Sequence, residues 1–362
     1  MDFDEIVKKQ MDNLVDEEKT DMLSDYAGNL SGGISDQFTL DKIVDATLSG
    51  ESIFDSEEMI ESLKALFLYE IKAALVVGIE ILTVCIVIGL LKNLSGSFGR
   101  KGVSDIAGLV CSIVIIGLAV TNFDTVYQLT ADSIGTIAYT MEILLPVLVT
   151  ILISMGQVTT GTVMSPFLLT AITVFQALIK NMILPGIFIS TVLSLLNCLT
   201  EKDYVNGLSK FIRQASLFLT GIILTLMSGM IAIQGLITKT ADGLLMGTAK
   251  YSLDAFIPIV GGFTADTVEL FLKCMGSIKS VVGIFGILLI VALVLTPIVK
   301  ILAVAVIYKI TSLLIEPVAS KKLSQSVSDI GTSLIAMGAI LFFASLLFII
   351  FITSVISMGG KM

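Results

Sequence analysis

Glu80 is the residue whose type and position most need a chemical explanation. It sits near the centre of the apolar run 72–91, which Lys72 and Lys92 bound. A carboxylate at that depth of a bilayer costs ~2.5–3.5 kcal/mol on insertion scales. Two readings are open. Glu80 is a pathway-lining or proton-linked carboxylate, or it is a structural carboxylate facing a neighbouring helix, protonated or bonded to a polar partner. Thr83 lies one turn along the same helical face, so that face is expected to point into the protein.

The segment Phe256-Ile-Pro-Ile-Val-Gly-Gly-Phe-Thr-Ala-Asp266 is different in kind. Pro258 removes a backbone donor, and Gly261 and Gly262 permit backbone angles that side chains forbid. An apolar half-helix, this break and an amphipathic run ending at Lys273 predict an interfacial or re-entrant hairpin. Such a turn is either a docking or pore-lining element or a passive connector between spans.

The rest of the inventory excludes familiar enzymes. There is no His, so H-E-x-x-H metal sites and Ser–His or Cys–His pairs are absent. No G-x-x-x-x-G-K-[ST] occurs. Cys85, Cys111, Cys198 and Cys274 form no C-x-x-C pair, and three of them lie inside apolar runs as small hydrophobes. A non-enzymatic chain without cofactor or metal is expected. The pairs Gly243/Gly247, Ser228/Ala232 and Gly283/Gly286 suit close helix packing. Pro146, Pro166 and Pro185 lie in or beside spans, where broken helices sometimes line transport pathways.

The elements that must hold these residues follow from composition. The 362 residues are 55% hydrophobic and only 15% charged, with a mean hydropathy of +0.97. Soluble domains carry about 25% charged residues, so lipid must solvate much of this surface. The net charge of −9 is unevenly placed. Residues 1–72 hold 18 acids and 6 bases, and the remainder holds 13 acids and 16 bases. An acidic head argues against nucleic acid and against adhesion to an anionic leaflet.

Residues 1–70 read as an acidic head of short amphipathic helices. A helix start is legible at Asp55, with Glu58 three residues on and Phe54 placed to staple Met59. No apolar h-region precedes the head, so it crosses with the first span or follows a leader lying ahead of this sequence. Spans are expected at about 72–91, 104–121 and 142–160, with a polar segment between the last two. The stretch 166–199 is too long for one crossing, and Lys180-Asn181 with Pro185-Gly186 mark a break, which predicts a two-span hairpin. Further spans are expected near 214–237, at 280–297 and within 330–357. The stretch 298–316 either crosses or lies in the interface, with Lys300 and Lys309 snorkelling. The chain therefore divides into the head at 1–70, a first membrane region at 71–237 of about six spans, an amphipathic segment at 238–279 and a second membrane region at 280–362. The fold class is all-α, a polytopic helical membrane protein of about eight spans, with seven to nine open.

Lys/Arg bias orients it. Lys92, Arg100 and Lys101, then Lys202, Lys210 and Arg213, then Lys321 and Lys322 mark cytoplasmic connections. The head is then extracytoplasmic.

The run from Phe256 to Glu269, FIPIVGGFTADTVE, is followed by Lys279-Ser-Val-Val-Gly283-Ile-Phe-Gly286. Further on come Glu316-Pro317-Val-Ala-Ser and Ser328-Asp329-Ile-Gly331. In order and spacing, these residues resemble the C-terminal half of the stage III sporulation protein AE family, and the likeness covers about 240–357. The remainder is similar in layout. The resemblance implies a membrane subunit of the channel, or feeding-tube complex, between mother cell and forespore in endospore-forming bacteria. It also implies partners: an ATPase, ring-forming and small membrane proteins of the stage III sporulation A operon, and a forespore protein that meets them. A role in forespore integrity and late sigma-G-dependent gene expression is implied too. On the residues alone, a secondary transporter acting by itself and a non-conducting assembly scaffold stay open. The positions expected to matter are Glu80, Pro258, Gly261, Gly262, Asp266, Gly283, Gly286, Glu316, Pro317 and Asp329.

Overall fold

The computed structural model describes residues 56–97, 101–197, 199, 205–256, 261–317 and 321–357. The helices are α1 (Ser56–Ser97), α2 (Lys101–Ser154), α3 (Val158–Leu178), α4 (Leu184–Asn197), α5 (Asn206–Phe256), α6 (Gly261–Ile315) and α7 (Lys321–Ser357). A π-helical segment, Ile179–Ile183, joins α3 to α4 without a turn. No strand occurs among the described residues. In hydrocarbon every backbone donor and acceptor must be met within the segment, and helices do that for this composition. Among the described residues, five stretches are long and apolar enough to cross a membrane: Ser112–Ser154, Val158–Asn197, Asn206–Ile237, Leu272–Ile315 and Lys321–Ser357. The fold class is all-α and polytopic, as the composition requires.

The helices alternate in direction. A Cβ built on Gly283 would meet Ile356, one on Gly286 would meet Ile352, and one on Gly331 would meet Ala305, so α6 and α7 run antiparallel along their length. Leu144 of α2 also meets Gly286, and Gly276 lies beside Met155, so α2 is antiparallel to α6. Ser190 of α4 bonds Ser209 of α5 across a second antiparallel pair. The end of α1, the starts of α2, α5 and α7, and the ends of α4 and α6 therefore share one end of the bundle. Lys101, Lys210, Arg213, Lys321 and Lys322 cluster towards that end.

Helix α7 is the axis. Leu334, Met337, Ile340, Leu341, Ala344, Leu347, Phe348 and Phe351 are all buried. The most apolar windows of α6 and α7 are each 61% buried, against 17% for α5. Helix α5 is thus peripheral, with Phe211, Phe218, Leu226 and Ile233 facing outward. Phe348 anchors the centre, edge-to-face with Phe175 of α3 at a centroid distance of 5.9 Å.

Several expected breaks are continuous helix. The polar segment 122–140 lies inside α2, where Thr125, Thr130, Thr136 and Thr140 return their hydroxyls to carbonyls four residues back. The hairpin expected at Lys180–Gly186 does not form: the backbone widens into π-helical rings at Ile179–Ile183, with Leu184 N–H donating to the Ile179 carbonyl, and the helix continues through Pro185. The chain reverses instead at Met155–Gln157, inside the span expected at 142–160. Gly156 adopts a φ of 82° there, a conformation that glycine takes without steric cost. The stretch 298–316 does not turn aside into the interface; α6 runs through Pro297 to Ile315. The boundaries placed after residues 70, 237 and 279 fall within α1, α5 and α6. The acidic head at 1–55 lies outside the described residues, and α1 begins at Ser56, one residue after Asp55.

The α6–α7 seam yields a stability prediction. A Cβ at Gly331 would stand 3.1 Å from the Ala305 carbonyl oxygen and 3.1 Å from Lys309 Cγ. Gly331→Val is expected to cost about 1–3 kcal/mol by overpacking. Gly338→Ala, whose Cβ would meet Ile301 at an ordinary 3.4 Å, is expected to be neutral. Thermal unfolding in detergent, followed by loss of monodisperse protein, checks both.

Candidate functional site

A layer of hydroxyls and charges crosses the bundle near its basic end. Helix α7 supplies Ser324, Ser326, Ser328, Asp329 and Thr332; α4 supplies Ser190 and Ser194; α5 supplies Ser209 and Arg213; α6 supplies Lys309 and Ser312. Hydroxyl side chains suit this position, since they are short enough for backbones to approach and can bond across the gap.

Asp329 is the hub. Ser194 Oγ donates to its Oδ2 at 2.7 Å. Arg213 Nη1 donates to its backbone oxygen at 3.4 Å, and Nη2 stands 4.0 Å from Oδ1. The side chains of Arg213 and Asp329 are only 8% and 16% exposed. Beside them Lys309 Nζ donates to Ser328 Oγ at 2.9 Å and to Thr332 Oγ1 at 2.7 Å. Ser326 donates to the Ser194 carbonyl, and Ser324 to that of Ser312. Ser190 and Ser209 each donate to the other's carbonyl at 2.7 Å.

Two cations and one carboxylate so close together leave an excess of positive charge. Arg213 is also incompletely used: Nε and Nη2 are buried, and neither makes a hydrogen bond among the described residues. The pair is loose, so its attraction recovers only part of the desolvation cost of both charges. The layer is built to fix four helices against one another. Among the described residues no three His, Cys, Asp or Glu side chains gather as for a metal.

The expected residues are distributed unevenly around this layer. Asp329 is its centre. Gly283 and Gly286 lie on the α6–α7 seam. Glu316 and Pro317 form the exposed turn that follows α6. Gly261, Gly262 and Asp266 open α6 as helix rather than forming the break, and Pro258 lies outside the described residues. Glu80 is corrected: it does not face the protein. Ala74, Gly78, Ile81 and Cys85 take the inner face of α1, which leaves Glu80 and Thr83 exposed in a shallow groove with Val76, Ile79, Val84 and Leu118. Thr83 satisfies its hydroxyl on the Ile79 carbonyl at 2.7 Å. It therefore marks no buried polar face.

The bonding roles of Arg213 and Lys309 are not legible in the sequence, where Arg213 stands as a cytoplasmic charge and Lys309 as a snorkelling one. The available signal was the run of hydroxyls at helical spacing, Ser190–Ser194 and Ser324–Ser328–Thr332, which is a bonding face rather than a lipid face.

Asp329→Ala removes an acceptor from Ser194 and the counter-charge from Arg213, and is expected to destabilise the bundle by about 3 kcal/mol. Asp329→Asn keeps a bond to Ser194 and is expected to cost roughly half as much. Ser194→Ala is expected to cost about 1 kcal/mol. Thermal melts of the purified chains in detergent, with membrane abundance measured alongside, check the order Ala > Asn > Ser194→Ala.

Residues 38–359 match the family described as Stage III sporulation protein AE. The chain is 27% identical over 316 residues to the Stage III sporulation protein AE of Bacillus subtilis (strain 168), covering 86% of this chain and 78% of that protein. No solved structure matches. The match spans α1 to α7 and takes in the Asp329 layer and both seam glycines, so this chain belongs to the stage III sporulation protein AE family.

Proposed function

We propose that the chain is a non-enzymatic membrane subunit of the channel complex linking mother cell and forespore, needed for forespore development and late sigma-G-dependent gene expression. The observation that carries this reading is the family match over residues 38–359 on a chain whose described residues include five helical stretches long and apolar enough to cross a membrane. A sporulation role follows from the family, and a membrane setting from the helices.

The proposed setting is the mother-cell membrane around the forespore. The end bearing Lys101, Lys210, Arg213, Lys321 and Lys322 faces the mother-cell cytoplasm, so the acidic head extends to the extracytoplasmic side. The proposed partners are the ATPase, ring-forming and small membrane proteins of the stage III sporulation A operon, together with the forespore protein that meets them. The rigid bundle suits a subunit that presents fixed surfaces to neighbours, because the Asp329 layer ties α4, α5, α6 and α7 together and the α6–α7 seam is tight.

Deletion is expected to arrest development after engulfment, with sigma-G reporter activity lost and restored by the wild-type chain. Affinity purification from sporulating cells is expected to recover the operon's products. Normal sporulation without the chain overturns the reading. Solute uptake by the purified chain alone in liposomes would replace it with a self-sufficient transporter.

A further inference from the structure

The exposed faces of the bundle differ in chemistry. Helix α5 turns Phe218, Ile222, Leu226 and Ile233 outward, and α7 turns Ile335, Phe342, Phe343 and Ile350 outward. Those faces suit lipid. Helix α2 does the opposite. Past the exposed Val110, Ile113 and Val114, its outward positions between 121 and 150 recur at helical spacing as Thr121, Asp124, Thr125, Gln128, Asp132, Tyr139, Glu142, Pro146 and Thr150. On the adjoining α3, Thr162, Pro166, Thr170 and Thr173 also face outward, beside the exposed Val163 and Val174, and Asn181 of the π segment continues the polar positions.

The two polar faces meet at one point. A Cβ built on Gly135 of α2 would lie 2.6 Å from Lys180 Nζ and 3.8 Å from Gln176 Nε2. The glycine makes room for the ammonium to lie across the helix pair, on the π turn where the backbone ladder is already opened. The threonine hydroxyls return to their own carbonyls, as at Thr121, Thr150, Thr170 and Thr173, and lipid tolerates them. Asp132, Glu142 and Asn181 have no such refuge. Among the described residues none gives their side chains a hydrogen bond or an ion pair.

Depth decides what covers this face. Phe175 of α3 packs on Phe348 of α7, and Leu144 of α2 and Ile352 of α7 share the notch at Gly286. Residues 330–357 of α7 carry no charged side chain, so a crossing of about 20 residues placed anywhere within them includes the level of Phe348. Lys180, five residues from Phe175, lies beside Gly135 of α2, and Asp132 is one helical turn from Gly135, so these charges stand about two turns from that level. Charged side chains at such depth face a bundle interior or water rather than lipid.

We propose that the outward face of the α2–α3 pair lines an aqueous path through the membrane, open to water and to small cationic or neutral polar solutes. It rests on the membrane-subunit reading above. Asp124, Asp132 and Glu142 outweigh Lys180, so the path favours cations. The partner that closes its other side, a second copy or another subunit, supplies the remaining wall.

Cysteine accessibility in the full-length chain tests this, with the four native cysteines replaced by serine and spore formation confirmed. Gln128→Cys, Tyr139→Cys, Thr150→Cys and Thr170→Cys are expected to react with membrane-impermeant methanethiosulfonates at least tenfold faster than Phe218→Cys, Ile222→Cys and Phe342→Cys, in vesicles of one orientation or the other. At Tyr139→Cys the trimethylammonium reagent is expected to outpace the sulfonate reagent, and Asp132→Asn with Glu142→Gln to narrow that ratio several-fold. Slow labelling at all four positions overturns the path, whether lipid or a dry contact between copies covers the face. Fast labelling of the Phe218 and Phe342 controls as well overturns it by removing these helices from the membrane. A faster sulfonate reagent overturns the cation preference. Failure to recover the operon's products would sink the complex subunit and leave these rates untouched, so the two failures are distinguishable.

Discussion

Four helices of this bundle converge on the layer around Asp329, and its carboxyl group sets the terms for the surrounding groups. A carboxylate that is mostly withdrawn from solvent must be met by donors, and here they come from Ser194 on one helix and Arg213 on another. Lys309 is drawn to the neighbouring hydroxyls of the same turn of α7. Registers along α4, α5 and α6 are fixed relative to α7 by these few bonds, because a shift of one residue would turn each donor to a different face. Beyond the polar layer, the notches at Gly283 and Gly286 and the stack of Phe175 on Phe348 fit by shape. Shape tolerates sliding better than directed bonds do. The polar layer therefore supplies the alignment on which the apolar packing depends.

Helix length is the second constraint. At about 1.5 Å per residue, α2 and α6 exceed the ~30 Å of a hydrocarbon core more than twofold. Parts of both project beyond the bilayer, and the position of the chain along the membrane normal is decided by the helices with the least freedom. Helix α7 is the most restricted, since its charges end at Asp329 and resume only at Lys361.

The class of fold was legible because composition forces it: so much apolar surface with so little charge has one solvent that suits it. Individual breaks were less legible. Polar residues at 122–140 read as a loop, yet the threonines there bond their own helix. Pro185 read as a turn, yet the helix continues through it after a wider hydrogen-bonded ring. The true reversal rests on Gly156, one glycine among 30, and only its backbone angle distinguishes it. Glu80 illustrates the converse error. Hydropathy gives the depth of a residue but not its azimuth, and the inner face of α1 is chosen by small side chains, Ala74 and Gly78, that let α6 approach. Asp329 entered through the run Ser328-Asp329-Ile-Gly331. Its partners Arg213 and Ser194 lie more than a hundred positions away, and no local pattern joins them.

The π turn at Ile179–Ile183 changes the phase of everything after it. On α3, positions in steps of seven, Leu168 and Phe175, are buried; continued past the turn, the same series, Met182, Ile189 and Leu196, is exposed. One wide turn rotates the downstream half of a single rod, so that one half offers threonines among valines outward and the other offers Ile189 and Leu196. A straight α-helix of this sequence would present a single mixed stripe, with its serines turned away from Asp329. The rod thus acts as a crank: it serves two differently oriented surfaces without spending a loop, and a single-residue deletion inside the turn would change which surface each half addresses while leaving every side chain outside it chemically unaltered.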